Sequence, residues 1–527
     1  MGSKAMEMKS YVADVAAGGS GNNKPCSNRD DEEMAFYGKQ QQLKRNFGFL
    51  SIAGFVGSLL CTWEGLFTTF LYGLQNGGPA GLVYGFLFCW AGTLSVAASM
   101  GELASIMPLS GGQYHWVAIL APPRYAKFLS YSTGWVTVIG WQAAQASIAF
   151  LAASVIQGII VLNNDTYIPT RWQGTLLLYA VLVFILFINT YLARWLPKIE
   201  GLVLCLHIVG FFAILIPLVY LAPHSSPRDV FATFVNGGGW SSDGVSFFIG
   251  LVTSVFSFIG ADSACHMAEE IKNASTIIPW VMIYTILLNG ILGLALLIAL
   301  LFCMGNMDNA LTSATGFPFI EIFAQGVGST AGATIMTCII LVLLIAAATG
   351  IMATASRMLW SFSRDNGVPG SEYIRRVNQT TALPLYAILV SSMITLLLAL
   401  INIGSTAAFN AIMSVTVAAF FSSYLIPISL ILFKRLRKDP IKDNIRWGPW
   451  CMGPIFGPLV NAFALVYTVI TLLFSFFPAT VVVSPVTMNW SSVIFGGTVI
   501  FSILFYVFWG RHSYKWPIVA MPNQRKN

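Results

Sequence analysis

The chain has 527 residues, of which 56% are hydrophobic and only 9% are charged. A soluble domain is roughly a quarter charged, so this composition excludes an ordinary water-soluble fold and indicates a protein whose solvent is lipid. The eight cysteines are scattered without CxxC spacing, which argues against a zinc ribbon or a disulfide framework.

Twelve apolar runs are long enough to cross a bilayer, which takes about 20 residues. We number them spans 1 to 12 in chain order. They lie near 48–73, 81–106, 128–158, 173–193, 200–222, 246–270, 281–304, 331–360, 384–402, 407–433, 454–477 and 491–510. The sequence therefore predicts an all-α membrane protein with about twelve transmembrane helices.

Polar segments flank these spans. In the amino-terminal tail, 1–46, "AAGGSGNNKPCSNRDDEE" is typical of disorder, and "MAFYGKQQQLKRNF" predicts a short helix on the membrane surface. The tail is either regulatory or an inert spacer. A basic loop, 434–453, is expected to contact anionic lipid headgroups, with a protein partner as the alternative. The other predicted parts are a core at 47–433, spans 11 and 12 within 454–510, and a carboxyl tail at 511–527.

The basic residues predict the orientation. With both termini in the cytoplasm, 26 of the 28 Lys and Arg residues face inward, and only Arg171 and Arg228 lie in outer loops. Basic residues resist translocation, so this arrangement is strongly favoured, and the net charge of +7 requires no nucleic-acid partner. Asn164 in "NDT" and Asn489 in "NWS" then face outward and are candidate glycosylation sites.

Two short amphipathic segments suggest an internal repeat. "PLSGGQYHWVAILAPPR" lies between spans 2 and 3 on the inner side, and "TGFPFIEIFAQGVG" lies between spans 7 and 8 on the outer side. Two five-span units of opposite orientation would produce this offset, although chance would too. Inverted repeats of this kind are usual in secondary transporters, where the first span of each half is broken near the midplane to bind solute and ion. Those are spans 1 and 6 here.

Span 1 contains a carboxylate, Glu64, within "GSLLCTWEGLFTTFLYG". Helical spacing places it on a small or polar face that runs from Gly54 to Tyr72 and is expected to look inward. An acid within the membrane is costly, so a functional role is the default. We interpret Glu64 as a substrate contact; the alternative is a structural carboxylate bonded to a neighbouring helix.

Span 6 reads "VTSVFSFIGADSACHMAEEIKNASTIIP", which resembles the sixth helix of the amino acid-polyamine-organocation permeases. "SRMLWSFSRDNGVP", "MPLSGGQYHW" and "GFPFIEIF" further resemble the fungal choline and gamma-aminobutyric acid (GABA) permeases. This resemblance implies the leucine-transporter fold, with spans 1–5 and 6–10 as inverted repeats and spans 11 and 12 peripheral. It also implies breaks at 257–260 in span 6 and near 57–62 in span 1.

The resemblance gives roles to particular residues. Phe256 takes the place of an aromatic residue that closes over substrate, and Asp262 that of an acid linked to pH response. Trp63, Phe256 and Phe258 would enclose a quaternary ammonium by cation-π attraction, unless they are packing residues, and Glu64 would supply the counter-charge. The predicted substrate-binding residues are Gly57, Ser58, Thr62, Trp63, Glu64, Phe256, Ser257, Phe258 and Gly260.

The coupling ion is predicted to be a proton. His207 occupies a position where some proton-coupled relatives carry a lysine, and a histidine titrates near neutrality. His207 is therefore the first candidate for the coupling group and Asp262 the second; a neutral, hydrogen-bonded His207 is the alternative. Asp262, His266 and Glu269 share one helical face, which we interpret as a gate rather than a metal site. No cofactor or metal is predicted.

These features together predict a proton-coupled permease that imports an amine-bearing solute such as choline, GABA or another amino acid. The plasma membrane is the expected location, with the vacuolar membrane as the alternative. A receptor of the same fold that binds without transporting is a second hypothesis. A membrane-embedded enzyme is a third, disfavoured because neither His207 nor His266 has a recognisable catalytic partner motif.

Overall fold

The computed structural model describes residues 26–164, 166–404, 406–437, 445–485 and 487–515. Within them, eleven helical segments are long and apolar enough to cross a membrane, and span 6 is a twelfth, broken segment. The unbroken spans are Gly78–Ile106, Pro123–Asn163, Arg171–Tyr191, Leu196–Leu221, Ala274–Phe302, Thr330–Arg364, Leu385–Gly404, Thr406–Arg437, Gly453–Phe474 and Ser491–Phe505. The predicted all-helical membrane fold is confirmed.

Spans 1 and 6 are both interrupted. Span 1 consists of helices Phe49–Leu60 and Thr62–Gln75, and Cys61 between them has the left-handed φ of 48°. Span 6 consists of helices Asp243–Gly250 and Val252–Ser257, a non-helical stretch, and the single turn Ser263–His266. Both breaks fall in or directly beside the stretches predicted for them.

Glycine is required at the span 6 break. Gly260 has a φ of 112°, which an L side chain rarely adopts, and a Cβ there would lie 2.8 Å from Cδ2 of Leu59. The break in span 6 therefore lies against the end of the first helix of span 1, and the interruptions leave backbone groups without helical partners near this contact.

The two halves pair element by element. Span 1 packs against span 6, span 2 against span 7, span 3 against span 8 and span 4 against span 9. The short helices Gln113–Leu120 and Pro318–Val327 occupy equivalent places after the second span of each half. Span 11 packs on spans 2 and 10, and span 12 on spans 3 and 10, so both lie outside the repeat.

The described part of the amino-terminal tail, residues 26–47, differs from its prediction. Its first part is the helix Cys26–Phe36, and its remainder is not a helix on the membrane surface. The amide of Phe47 donates to the carbonyl of Glu270 at 3.0 Å, which attaches the tail to the inner end of span 6. The tail packs against the spans, and not on the membrane surface, because this packing buries its apolar side chains. The buried side chains are Met34, Tyr37, Leu43 and Phe47.

The start of the basic loop differs as well. Span 10 remains helical to Arg437, and Arg435 donates to Glu102 at 2.6 Å instead of contacting lipid headgroups. Glu102 is fully buried at the inner end of span 2, so an opposite charge is needed there. Residues 438–444, 516–527 and the first 25 residues lie outside the described part of the chain.

Candidate functional site

A cavity of about 40 Å³ lies between the two broken spans. The breaks themselves form one wall, and spans 3, 8 and 10 complete it. The lining residues are Leu59, Leu60, Cys61, Gly65, Trp141, Ala144, Ile148, Phe256, Ile259, Gly260, Ile351, Thr416 and Phe420. None of these described side chains carries a charge. We call this space the central cavity.

Two of the nine predicted binding residues, Phe256 and Gly260, line the central cavity. The side chain of Phe258 packs on Phe86 instead, with ring centroids 4.9 Å apart. Ser58 donates to Glu200 of span 5 at 2.7 Å. The remaining predicted residues are Gly57, Thr62 and Ser257, which are buried between helices, and Trp63 and Glu64, which turn toward span 5.

Glu64 and Trp63 both contact His207. Nδ1 of His207 lies 2.7 Å from Oε1 of Glu64, and the indole N–H of Trp63 donates to Nε2 of His207 at 3.2 Å. An indole nitrogen is only a donor, so Nε2 must be unprotonated and Nδ1 must carry the proton that is donated to Glu64. The geometry thus defines a neutral imidazole beside a carboxylate. The second carboxylate oxygen, Oε2, is buried and accepts no hydrogen bond from the described residues.

Asp262 lies in the non-helical part of span 6 and is fully buried. Tyr424 of span 10 donates to its Oδ1 at 2.7 Å, and Gln113 donates to its Oδ2 at 2.7 Å. His266 is a third neighbour, with Nε2 at 3.3 Å from Oδ2. This carboxyl group therefore joins span 6 to span 10 and to the short inner helix.

The tautomer of His266 can also be assigned. Its Nδ1 lies 2.9 Å from the carbonyl oxygen of Ser110, which is only an acceptor, so Nδ1 carries a proton. Nε2 faces the carboxyl group of Asp262, and this contact is attractive only when a proton lies between the two atoms. The pair thus shares one proton, either as an imidazolium with a carboxylate or as a neutral imidazole with a carboxylic acid.

A larger space of about 390 Å³ lies on the outer side of the central cavity. We call it the outer vestibule. It is formed by the outer ends of spans 1, 6, 10 and 11 and by the loop before span 12. Phe256 lines both spaces and is the partition between them. This position is consistent with a side chain that closes over a bound solute.

The inner side is closed by ion pairs. Arg364 at the end of span 8 forms two hydrogen bonds to Glu269, at 2.9 and 2.5 Å. Arg357 donates to Glu270 at 2.8 Å. Glu269 is therefore held in an ion pair with Arg364. No group of three His, Cys, Asp or Glu side chains within the described ranges is arranged to hold a metal ion. We call these pairs, with the cluster described next, the inner seal.

Asp365 is the second centre of the inner seal. It accepts hydrogen bonds from Tyr114 and His115, both at 2.9 Å, and forms an ion pair with Lys39 of the amino-terminal tail. His115 is fully buried, and this burial lowers its pKa to about 4, although the Asp365 carboxylate opposes the shift. His115 is consequently neutral at physiological pH and donates its Nε2 proton to Asp365.

Broken first spans in two inverted halves, with a vestibule on one side of the central cavity and ion pairs on the other, define a membrane transporter. The amino acid permease family model matches residues 47–501, and the chain belongs to this family. It is a carrier and not an enzyme.

The chain is 32% identical to the choline transporter of Saccharomyces cerevisiae, over 93% of this chain and 86% of that protein. It is 29% identical to amino-acid permease 2 of Neurospora crassa, over 90% of this chain and 86% of that protein. A solved manganese transporter from Eremococcus coleocola is 14% identical, with a TM-score of 0.54 over 87% of this chain and 93% of that one. This last likeness shows the fold alone.

Sequence reasoning missed the scaffold side of the central cavity. Trp141 of span 3 and Thr416 and Phe420 of span 10 line it. The sequence did indicate that two of these residues act together, because Thr416 and Phe420 are four residues apart and so share a helical face. The binding residues predicted from the sequence all lie in spans 1 and 6, the two spans expected to break.

Proposed function

We propose that this permease imports an amine-bearing cation together with a proton across the plasma membrane. The observation that carries the proposal is Glu64, a buried carboxylate with one unpartnered oxygen next to an uncharged cavity. The vacuolar membrane is the alternative location, which tagging the chain and imaging it in its own cell would decide.

Electrostatics favours a cation over a zwitterion. Glu64 lies in the first turn of helix Thr62–Gln75, where it compensates the positive end of the helix. That end would otherwise attract the carboxylate of an amino acid. No basic side chain lines the described wall of the central cavity, whereas Cys61 and Gly65, on either side of Glu64, do line it. A positively charged headgroup therefore meets a negative potential and aromatic rings.

The substrate is tested by uptake of labelled choline, GABA and amino acids into proteoliposomes containing the purified protein. We expect saturable uptake of choline and weaker uptake of zwitterions. Saturable binding of these compounds without any uptake would instead support the receptor hypothesis, and preferred uptake of an amino acid would reject the cation assignment.

The hydrogen bonds favour Asp262 with His266 over His207 as the proton site. Both nitrogens of His207 are satisfied when its ring is neutral, and a second proton would oppose the N–H of Trp63. The Asp262–His266 contact needs a proton to be attractive. We therefore propose Asp262 with His266 as the first candidate for the coupling group and His207 as the second.

A proton bound between Asp262 and His266 also agrees with the proposed direction of transport, from outside to inside. It lies between two side chains of span 6 that contact the inner side, because Asp262 accepts from Gln113 of the short inner helix and His266 donates to the carbonyl of Ser110. A bound proton keeps this pair together and so stabilises the form whose inner side is closed. A ligand shifts a conformational equilibrium only through its different affinity for the two states. A proton taken up from outside and released when the inner side opens would satisfy that requirement.

The assignment is tested with two variants. Asp262→Asn should retain exchange of substrate across the membrane but lose accumulation driven by a proton gradient, because exchange needs no net proton movement. His207→Gln is the matched control, since glutamine can donate to Glu64 and accept from Trp63 but cannot titrate.

Counterflow and gradient-driven uptake are measured in sodium-free proteoliposomes. Loss of accumulation in His207→Gln, with Asp262→Asn unaffected, would return the coupling role to His207. A strict sodium requirement in the parent protein would reject proton coupling.

A further inference from the structure

The inner ends of spans 3 and 12 bring three basic side chains together. Arg124 and Lys127 lie in the first turns of span 3, and their spacing of three residues places them on one helical face. Arg511 lies just beyond the inner end of span 12. The ammonium group of Lys127 donates to the main-chain carbonyl of Arg511 at 2.7 Å, so the two segments are in direct contact. We call Arg124, Lys127 and Arg511 the basic corner.

The basic corner has no counter-charge in the described part of the chain. None of its three side chains forms an ion pair there, whereas Arg357, Arg364 and Arg435 on the same side of the molecule each pair with a glutamate. The sequence explains the difference, because neither 103–164 nor 444–527 contains an aspartate or a glutamate. The amino-terminal end of span 3 adds to the positive potential, since its first turn has no acidic residue and no side-chain cap.

Aromatic side chains around the basic corner indicate that it lies at the depth of lipid headgroups. The guanidinium of Arg124 lies 5.5 Å from the centre of the Tyr125 ring, and that ring is half exposed. Phe128 packs on Tyr506 of the span 12 end, with ring centroids 5.2 Å apart. Phe508 is 79% exposed on the same end. Exposed aromatic residues at the end of a span are typical of the membrane interface.

We propose that the basic corner binds the headgroup of an inner-leaflet phospholipid that carries more than one phosphate, of the phosphatidylinositol bisphosphate type. Arginine forks bind phosphate oxygens in pairs, and lysine adds a point charge. Three uncompensated cations match a multivalent headgroup, whereas a singly charged one would leave most of the positive charge unbalanced. The acyl chains would lie on the exposed apolar surface of span 12 beside Phe508.

A lipid in this place would act on the inner seal. The main chain that leaves Arg511 reaches Tyr514, whose hydroxyl group lies 2.8 Å from that of Ser130 in span 3. The amide of Lys515 then donates to the carbonyl of Asp365 at 2.9 Å. A headgroup that holds Arg511 against span 3 therefore also stabilises the chain that ends on Asp365. This role does not depend on which solute the permease carries.

The probe is phosphatidylinositol bisphosphate, added at graded concentrations to the purified, full-length protein in detergent. Native mass spectrometry counts the bound lipids. Lys127→Gln combined with Arg511→Gln should weaken binding of the first lipid by roughly tenfold or more, because each basic residue near an anionic headgroup adds to the affinity. Glutamine at 127 can still donate to the carbonyl of Arg511. Arg194→Gln combined with Lys198→Gln is the matched control.

The control removes two cations that lie over the Trp195 ring at the inner end of span 5. It should bind the lipid within about twofold of the parent protein, since it leaves the basic corner intact. Arg124→Gln is a second test variant, which keeps the contact between Lys127 and Arg511. It should weaken binding by about threefold or more.

Soluble inositol trisphosphate separates a lipid site from a site for free phosphates. It should compete roughly tenfold more weakly than the lipid, because it lacks the acyl chains. Equal potency of the two would overturn the lipid assignment. Unchanged lipid binding in Arg124→Gln and in the double variant of the basic corner, or an equal loss in the span 5 control, would overturn the site. These outcomes are read without any uptake measurement and so stand apart from the proposed substrate.

Discussion

His207 and His266 differ in what their ring nitrogens meet. Between an indole donor and a carboxylate, His207 needs only the one proton of a neutral ring. Between a backbone carbonyl and Asp262, His266 needs a second proton in the pair. The residue types alone do not distinguish the two histidines, and only the donors and acceptors around them show that their environments differ.

Glu64→Gln should raise the KM for a cationic substrate by about tenfold with little effect on expression. The carboxylate acts on the cavity through its field, and a unit charge at intermediate distance is worth about 1 to 2 kcal/mol at the effective dielectric of proteins. Labelled uptake at graded substrate concentrations measures the effect. An unchanged KM in a well-expressed variant would leave Glu64 with only the structural partnership with His207.

The direction of Glu64 could not be predicted from helical spacing. A face read at 3.6 residues per turn persists only while the helix continues, and the left-handed Cys61 changes the phase of all that follows. The small residues before Cys61 and the carboxylate after it therefore do not share one face. The location of the break itself was predictable, and its effect on side-chain direction was not.

At the scale of elements, the spans were predictable and the amino-terminal tail was not. Long apolar runs specify membrane helices because the bilayer thickness fixes their length. The buried residues of the tail follow neither the helical nor the strand period, and their burial depends on other spans. Those residues are Met34, Tyr37, Leu43 and Phe47. Tyr37 donates to the carbonyl of Ile106 in span 2, and the ring of Phe47 packs on that of Phe55 in span 1. Tertiary contact, which a local pattern does not encode, orders this segment.

The inner seal should weaken in acid. The pKa of His115 is lowered to about 4 in the folded protein, so the unfolded state binds more protons as the pH falls below its ordinary value of 6.5. Stability contributed by neutral His115 is present above that value and is lost as the pH falls toward 4.

His115→Gln should therefore show a smaller fall in melting temperature between pH 6.5 and pH 4 than the parent protein. Thermal unfolding of purified protein at several pH values measures this difference. His224→Gln is the control, because His224 is exposed in an outer loop and should leave the parent profile unchanged. If the melting temperatures of His115→Gln and the parent fell equally with pH, His115 would not contribute to the loss of stability in acid.

On the scale of the whole molecule, inward opening requires that the vestibule closes and that the inner seal breaks. The seal joins the short inner helix, spans 6 and 8 and the tail, so these elements separate together. The all-helical membrane class followed from composition, and the leucine-transporter fold was implied by the resemblance of span 6 and the neighbouring motifs to known permeases. The conformational state could not be predicted, because the same sequence adopts both the outward-facing and the inward-facing form.

The orientation predicts a single glycosylation site. Asn164 is exposed in an outer loop, where its side chain accepts from the backbone and hydroxyl groups of Thr166. Asn489 donates its amide to two carbonyls and lines the vestibule, so a glycan there would break both bonds. We expect glycosidase treatment to change the electrophoretic mobility of the parent protein but not that of the Asn164→Gln variant. A glycan on the inner sequon at Asn273 would reverse the topology.

Cys61, the left-handed hinge of span 1, also puts a natural thiol in the wall of the central cavity. An impermeant, cationic methanethiosulfonate added from outside should modify it at a rate that reports how often Phe256 swings aside. Saturating substrate should slow this modification, and Cys61→Ser should remove the protected fraction. Cys205 and Cys338 lie within spans 5 and 8 and Cys451 lies on the inner side, so an impermeant reagent added from outside does not reach them. The rate of Cys61 modification thus measures opening of the Phe256 gate in the wild-type chain, without any engineered label.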